Sequence, residues 1–407
     1  MIEQFLARED RRRYFLSDHE MERRWKAIRE RMAAKKIDYL VVQSQQRYVG
    51  GYFRYFTDIP GANYISTAIF PLNDDMTLIG SGAPWAKRAA ETPAAWSLRG
   101  VKEVIQVPAW PNVWLGDTFY AEKAAEVMMR TKPKTVGLVG LGNMSASLYA
   151  NLGKGLPGVN IITATDLVDE VRMVKSEEEL KLHREAAYMH EMSYEVAKNA
   201  IRPGRDPLEI VHEIQFAQIS AGSEEQQVSL SAGPLGGPFT SAQKVGTTRT
   251  RRRLRDGDII NLGAIESSAA GGYWYDMRRM LCIGSVPREL QEAYDIVKEA
   301  RAIMAANLKP GLLPGVAADA SDNFLKSKGC PPEARVGGHG QGLDLLERPM
   351  VHRSEPAKME VGMVVSLHPT GRPAYGMMIS DTYVITEAGA VPIYENLFND
   401  DEIAVVG

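Results

Sequence analysis

Along the chain, the spacing of apolar positions alternates between the period of a helix and that of a strand. Residues 18–36 are rich in charge and carry Met21, Trp25, Ile28 and Met32 three or four apart, the spacing of an amphipathic helix. Residues 37–43 read as a strand, and so do 64–71 and 76–79, with Asn73, Asp74 and Asp75 as the turn between the last two. A helix over 120–131 and a strand over 135–140 continue a βα alternation, which predicts an α/β domain. Gly137, Gly140 and Gly142 follow that strand, but not in the order Gly-x-Gly-x-x-Gly, so they are read as a strand-to-helix turn and not as a dinucleotide site. After a short strand at 160–163, Ser176 with Glu179 three residues on forms a capping box. It starts a helix through Leu180, His183, Ala187 and His190 towards Pro203. Those two histidines share a face with Ala187 and are read as surface or packing residues and not as ligands.

Beyond residue 256 the apolar runs acquire polar interruptions. Asn261, Asp276, His339, His368 and Asp381 each lie in or beside a β-favouring run or a glycine turn. Burying such groups is costly unless they meet one another, a metal or a substrate. These five are therefore the candidate chemistry.

Composition limits what that chemistry serves. With 407 residues the chain has room for two ordinary domains, and 44% hydrophobic with 24% charged residues is normal for a globular protein. A formal charge of -3 gives no general attraction to nucleic acid or to an anionic membrane. The one basic run, 249–255, is followed by Asp256 and Asp258 and reads as a compensated surface turn. Two cysteines, Cys282 and Cys330, argue against a disulfide framework and against a thiolate metal site. No signal-length apolar core opens the chain and no run reaches the ~20 apolar residues of a bilayer span, so a cytoplasmic protein is expected.

The stretch Val168-Asp-Glu-Val-Arg-Met-Val-Lys-Ser-Glu-Glu-Glu-Leu resembles the linker and first catalytic-domain helix of the creatinase, prolidase and aminopeptidase P superfamily. Pro203-Gly-Arg-Asp-Pro-Leu-Glu, Leu254-Arg-Asp-Gly-Asp-Ile-Ile-Asn and Gly338-His-Gly-Gln-Gly-Leu follow in the order of that family's later segments. The resemblance implies an α+β architecture: a creatinase-like, ribonuclease-H-like α/β domain over 1–166, then a pita-bread catalytic domain over 167–407. The latter would hold a six-stranded antiparallel sheet backed by helices, and the protein would be a homodimer.

In the peptidase branch, the resemblance implies two metals on five ligands: two aspartates, a histidine and two glutamates. The matching positions here read Asn261, Asp276, His339, His368 and Asp381, so three of the five have changed type. The family's second histidine is Leu346, and four extra residues separate Asn261 from Asp276. An ordinary dimetal proline peptidase is not expected. One reading is a creatinase-like hydrolase that cleaves a C–N bond of a small non-peptide substrate, with His339 or His368 as general base and Asp381 or Asp276 orienting it. A second keeps one divalent metal, Fe, Zn or Mn, on His339, His368 and Asp381 with Asp276 as a fourth ligand, as in a mononuclear lyase or oxygenase. A third is a catalytically silent binding protein. Asn261, Arg278, Glu347, Phe239 and Tyr375 are the candidate substrate contacts. Of Arg278 and Arg279, one is expected to be an ion-pair partner and the other to receive a substrate carboxylate. Tyr273, Trp274, Tyr275 and Tyr375 are read as an aromatic wall.

Overall fold

The computed structural model describes residues 15–44, 50–60, 64–82, 98–109, 116, 118–242, 252–269, 271–333, 335–371, 379–393 and 403–407. The described chain divides into two compact units, 15–172 and 173–407.

In the first unit, helix α1 (Asp18–Lys35) starts where the Ser17 side chain accepts from the Glu20 backbone N–H and Asp18 and Glu20 complement the helix dipole. It ends at Lys36 in the left-handed region. Of the four positions that the spacing marked, Met21, Ile28 and Met32 are buried and Trp25 is half-buried. A six-stranded sheet runs in the order β4 (Val101–Val107), β3 (Met76–Ser81), β2 (Ser66–Pro71), β1 (Tyr39–Ser44), β5 (Thr135–Val139), β6 (Asn160–Thr163). Its β1 is antiparallel to β2 and parallel to β5. The short helix α2 (Gly51–Thr57) buries Phe53, Tyr55 and Phe56. Helices α3 (Phe119–Met129), α4 (Ala146–Leu152) and α5 (Thr165–Arg172) complete the unit. Gly140, at φ 67, opens a tight turn after β5 instead of a phosphate-binding loop.

The second unit begins with the capping box: the Ser176 side chain accepts from the Glu179 N–H, and Glu179 accepts from the Ser176 N–H, at the head of α6 (Glu177–Ala200). Helix α7 (Pro207–Ser220) follows, capped by Asp206 with Pro207 in its first turn. Two five-stranded sheets carry the rest. One runs β16 (Ala404–Val406), β10 (Trp274–Ile283), β9 (Ile259–Ser268), β7 (Glu225–Gly233), β8 (Thr240–Ala242). The other runs β12 (Glu347–Met350), β11 (Gly338–Gly340), β13 (Val364–Leu367), β14 (Asp381–Thr386), β15 (Gly389–Pro392). The expected single six-stranded sheet is thus replaced, among the described residues, by two sheets joined through an antiparallel bridge between Arg278 and Ser380. Helices α8 (Arg288–Asn307) and α9 (Gly315–Ser327) belong to the same unit. No helix among the described residues is long and apolar enough to cross a membrane.

Candidate active site

Three strands bring three of the five candidates together. Asp276 lies on β10, His339 on β11 and His368 one residue past β13. The narrow strand β11 requires its flanking glycines. A Cβ at Gly338 would sit 2.2 Å from the Ser366 carbonyl, and one at Gly340 2.3 Å from the Arg348 carbonyl. Asp276, His339 and His368 are buried, and each offers a donor atom within 4.8 Å of the others. The two imidazole rings lie 5.0 Å apart, centre to centre.

Neighbours fix the chemistry of each group. His339 Nδ1 lies 3.0 Å from the Gly340 carbonyl, which can only accept, so the proton sits on Nδ1 and the Nε2 lone pair is free of it. His368 Nδ1 is buried with no hydrogen-bond partner, an arrangement that is unfavourable in an empty pocket and favourable beside an electrophile. Burial pushes the pKa of both rings down, that of His368 to about 3 with a further push from His339, so both are neutral near pH 7. For Asp276 burial acts upward, but the Arg278 charge, with the two imidazoles and the Ser380 hydroxyl, outweighs it and holds the carboxyl below its usual range. Ser380 Oγ donates to Oδ1 at 2.8 Å and Ser366 Oγ to Oδ2 at 3.1 Å. Arg278 Nε lies 3.6 Å from Oδ1.

The remaining candidates have partners of their own or lie outside the described residues. Asp381, expected as a ligand, is instead clasped by two guanidinium groups: Arg279 Nη2 donates to Oδ1 at 2.5 Å and Arg301 Nη1 donates to Oδ2. Aspartate is a methylene shorter than the glutamate of the resemblance, and each of its oxygens accepts from a guanidinium group. Asn261 pairs in register with Met280, whereas Asp276 pairs with Glu266, because the longer hairpin and a bulge between Met277 and Arg279 shift the strands. Phe239 packs on a hydrophobic cluster that includes Ile259, Met280, Cys282, Tyr294 and Ile379. Glu347, expected to touch substrate, forms a buried ion pair with Lys175 at 3.0 Å and accepts from the Asp344 N–H. Tyr375 lies outside the described residues. Tyr273, Trp274 and Tyr275 are buried and form core instead of a wall for ligand, with His183 edge-on to Tyr273 and His190 tilted on Tyr275. Of the surface and packing readings of His183 and His190, burial selects packing. Both cysteines are free and buried, and burial pushes the Cys282 thiol up to about 11, which suits neither a thiolate nor a ligand. In the basic run, the described Arg252 makes a two-pronged pair with Asp258 at 2.6 and 2.7 Å.

Residues that motif reading missed include Ser366, Ser380 and Arg301. Ser366 and Ser380 follow the alternation of their strands, but nothing in a one-residue code marks a serine as the partner of a distant aspartate. Arg301 sits on an ordinary charged helix.

The donor set of Asp276, His339 and His368 fits one divalent ion. Two imidazole nitrogens and one ionised carboxylate can hold a single Zn, Fe or Mn ion with open positions, and the orphaned His368 Nδ1 is what such an ion would satisfy. Of the other two positions, Asp381 is held by Arg279 and Arg301, and Asn261 supplies no carboxylate.

Comparison with known proteins gives two family-model matches: Metallopeptidase family M24 over residues 181–387, and Creatinase/Prolidase N-terminal domain over 24–174. The "Uncharacterized peptidase YqhT" of Bacillus subtilis (strain 168) is 27% identical over 257 residues, 61% of this chain and 69% of that protein. An "Xaa-Pro dipeptidase" of Pyrococcus horikoshii is 26% identical over 233 residues, 55% of this chain and 63% of that protein. The crystal structure of "Dipeptidase PepE" from Mycobacterium ulcerans superposes with a TM-score of 0.75 at 20% identity, covering 97% of this chain and 100% of that one. The likeness in structure shows the fold. The relatives' names speak of peptides, so the non-peptide substrate expected from the sequence has no support among them.

Proposed function

Because the chain belongs to metallopeptidase family M24, we propose that it is a hydrolase that cleaves one C–N bond of a small amide-like substrate at Asp276, His339 and His368. The observation that carries this reading is the convergence of those three buried side chains, from three strands, on one point. A divalent ion held by them would polarise a carbonyl and lower the pKa of a bound water.

The chain's own residues do the rest. Ser366 and Ser380 turn the two Asp276 oxygens and leave lone pairs directed inward. The Gly340 carbonyl keeps His339 in the tautomer whose Nε2 can ligate or accept a proton. Arg279 and Arg301 anchor the head of β14, and Ser380 beside it carries that order to Asp276. The three side chains are buried, which strengthens the charge interactions among them.

The relatives named as dipeptidases and the altered ligand set favour short peptides and simple N-acyl compounds as the substrates to try first. The test is amine release from a panel of dipeptides, N-acyl amino acids, ureas and guanidino compounds, with His339→Ala and His368→Ala beside wild type. Turnover lost in both variants supports the site; turnover unchanged in both removes it. A cytoplasmic homodimer belongs to the same proposal, and sedimentation of the purified chain checks the dimer.

A further inference from the structure

One buried amide beside the site has a donor with nothing to give to. We infer that the Gln341 side chain donates, through Nε2, to the acyl oxygen of the substrate and so holds the carbonyl of the scissile amide. The inference rests on the site proposed above and adds a residue to it.

Gln341 follows His339 by two residues. Its backbone N–H donates to the Val364 carbonyl at 3.2 Å, which extends the β11–β13 ladder in which His339 stands opposite Ser366. Side chains two apart on a strand share a face, and so do residues paired across strands. His339, Ser366 and Thr382 therefore form one row across β11, β13 and β14, and Gln341, Val364 and Val384 form the next row on the same face. This is the face of the site, because Ser366 Oγ donates to Asp276.

The Gln341 side chain leaves its own row. Thr382 Oγ1 donates to Gln341 Oε1 at 2.7 Å, and Thr382 lies two strands away, on β14. The carboxamide thus crosses β13 on the diagonal and ends in the row of His339 and Ser366. Gln341, Ser366 and Thr382 are all fully buried. With Oε1 satisfied by Thr382, Nε2 has no hydrogen-bond partner among the described residues, and the neighbouring Val364 and Val384 offer its amide hydrogens only apolar surface. A buried donor left in that state is unfavourable.

His368 Nδ1, two residues past Ser366, is the other orphaned atom here. A divalent ion can satisfy the imidazole, which has a lone pair to give. It cannot satisfy an amide N–H, which needs an acceptor. After an ion is bound the site therefore still calls for one oxygen from its ligand. An acyl oxygen polarised by the ion meets that call, and a hydrogen bond to it strengthens as charge gathers there during attack.

The test uses the intact protein and two probes: acetohydroxamate, whose carbonyl oxygen can meet a bound ion, and imidazole, which meets it through nitrogen and brings no oxygen. Zinc and then each probe are titrated calorimetrically into wild type, Gln341→Met and Thr382→Val, with circular dichroism to confirm that each is folded. Gln341→Met is expected to lose about tenfold for acetohydroxamate, the worth of one hydrogen bond, and to keep wild-type affinity for imidazole and zinc. Thr382→Val keeps the donor but lets the amide turn, so it should lose part of that affinity and none for imidazole. Acetohydroxamate bound equally by wild type and Gln341→Met overturns the inference. An equal loss for both probes, or a loss for zinc, does so too, because Gln341 would then support the ion's ligands instead of touching the substrate. Should Gln341→Met fail to fold, undiminished acetohydroxamate affinity in Thr382→Val overturns it. A wild type that takes up neither zinc nor acetohydroxamate sinks both the inference and the site. The expected pattern without amine release from any acyl compound leaves the Gln341 contact standing and counts against the C–N hydrolase reading alone.

Discussion

Replacing Asp381 by Asn would remove the carboxylate that Arg279 and Arg301 share, one of them almost wholly buried. Breaking a buried pair on one side leaves an uncompensated charge, so Asp381→Asn should cost about 3–5 kcal/mol, read as a loss of denaturant midpoint. Were Asp381 a metal ligand instead, stability without metal would change little or rise. His183 gives a second test at this scale. It is fully buried, and burial, helped by the Lys175 charge, pushes its pKa from 6.5 down to about 3. Protonation is therefore easier in the unfolded chain. The contribution of His183 is fully present above pH 6.5 and is lost as pH falls from there towards 3, with a slope of at most about 1.4 kcal/mol per unit. His183→Leu should flatten the stability curve in that window; parallel curves for variant and wild type would refute the assignment. Single side chains also mark where sequence reading stops. Asp276, His339 and His368 were legible because each is a polar residue in an apolar or glycine-rich frame. The partners of Asp381 and Glu347 were not, because Arg301 and Lys175 stand 80 and 172 residues away and only the fold brings them near.

Among the elements, α6 was the best specified from sequence, since a capping box, acids in the first turn and a helical period agree. Ser176→Ala should cost about 1 kcal/mol, measurable by chemical denaturation, and no loss would mean that the helix start is held by packing alone. Next to it, Lys175 pairs with Glu347 just ahead of the first turn. Lys175→Met alone should destabilise by about 3–5 kcal/mol, and the double variant Lys175→Met, Glu347→Leu should regain part of that. Equal loss in the single and double variants would show that the pair is not the unit. The hairpin of β9 and β10 was harder to read. Its strands were evident, but register depends on where the bulge falls, and one residue of slip changes which side chains oppose each other.

At the level of the molecule, the βα alternation sufficed for the first unit, and the order of motifs pointed to the pita-bread fold of the second, which the match to family M24 and the prolidase structures supports. The division of the second unit's strands into two sheets was not legible, because it turns on which edges pair and not on which residues form strands. The central claim is a site that takes one ion where five ligand positions would take two. An ion that binds only the folded state should raise the melting temperature with concentration, and a chelator should reverse it. The most direct measurement is elemental analysis of protein purified without chelator or metal-affinity tag, wild type beside His368→Ala. About one divalent ion per chain, lost in the variant, is the predicted result; two ions per chain, none, or an ion retained by His368→Ala would contradict it.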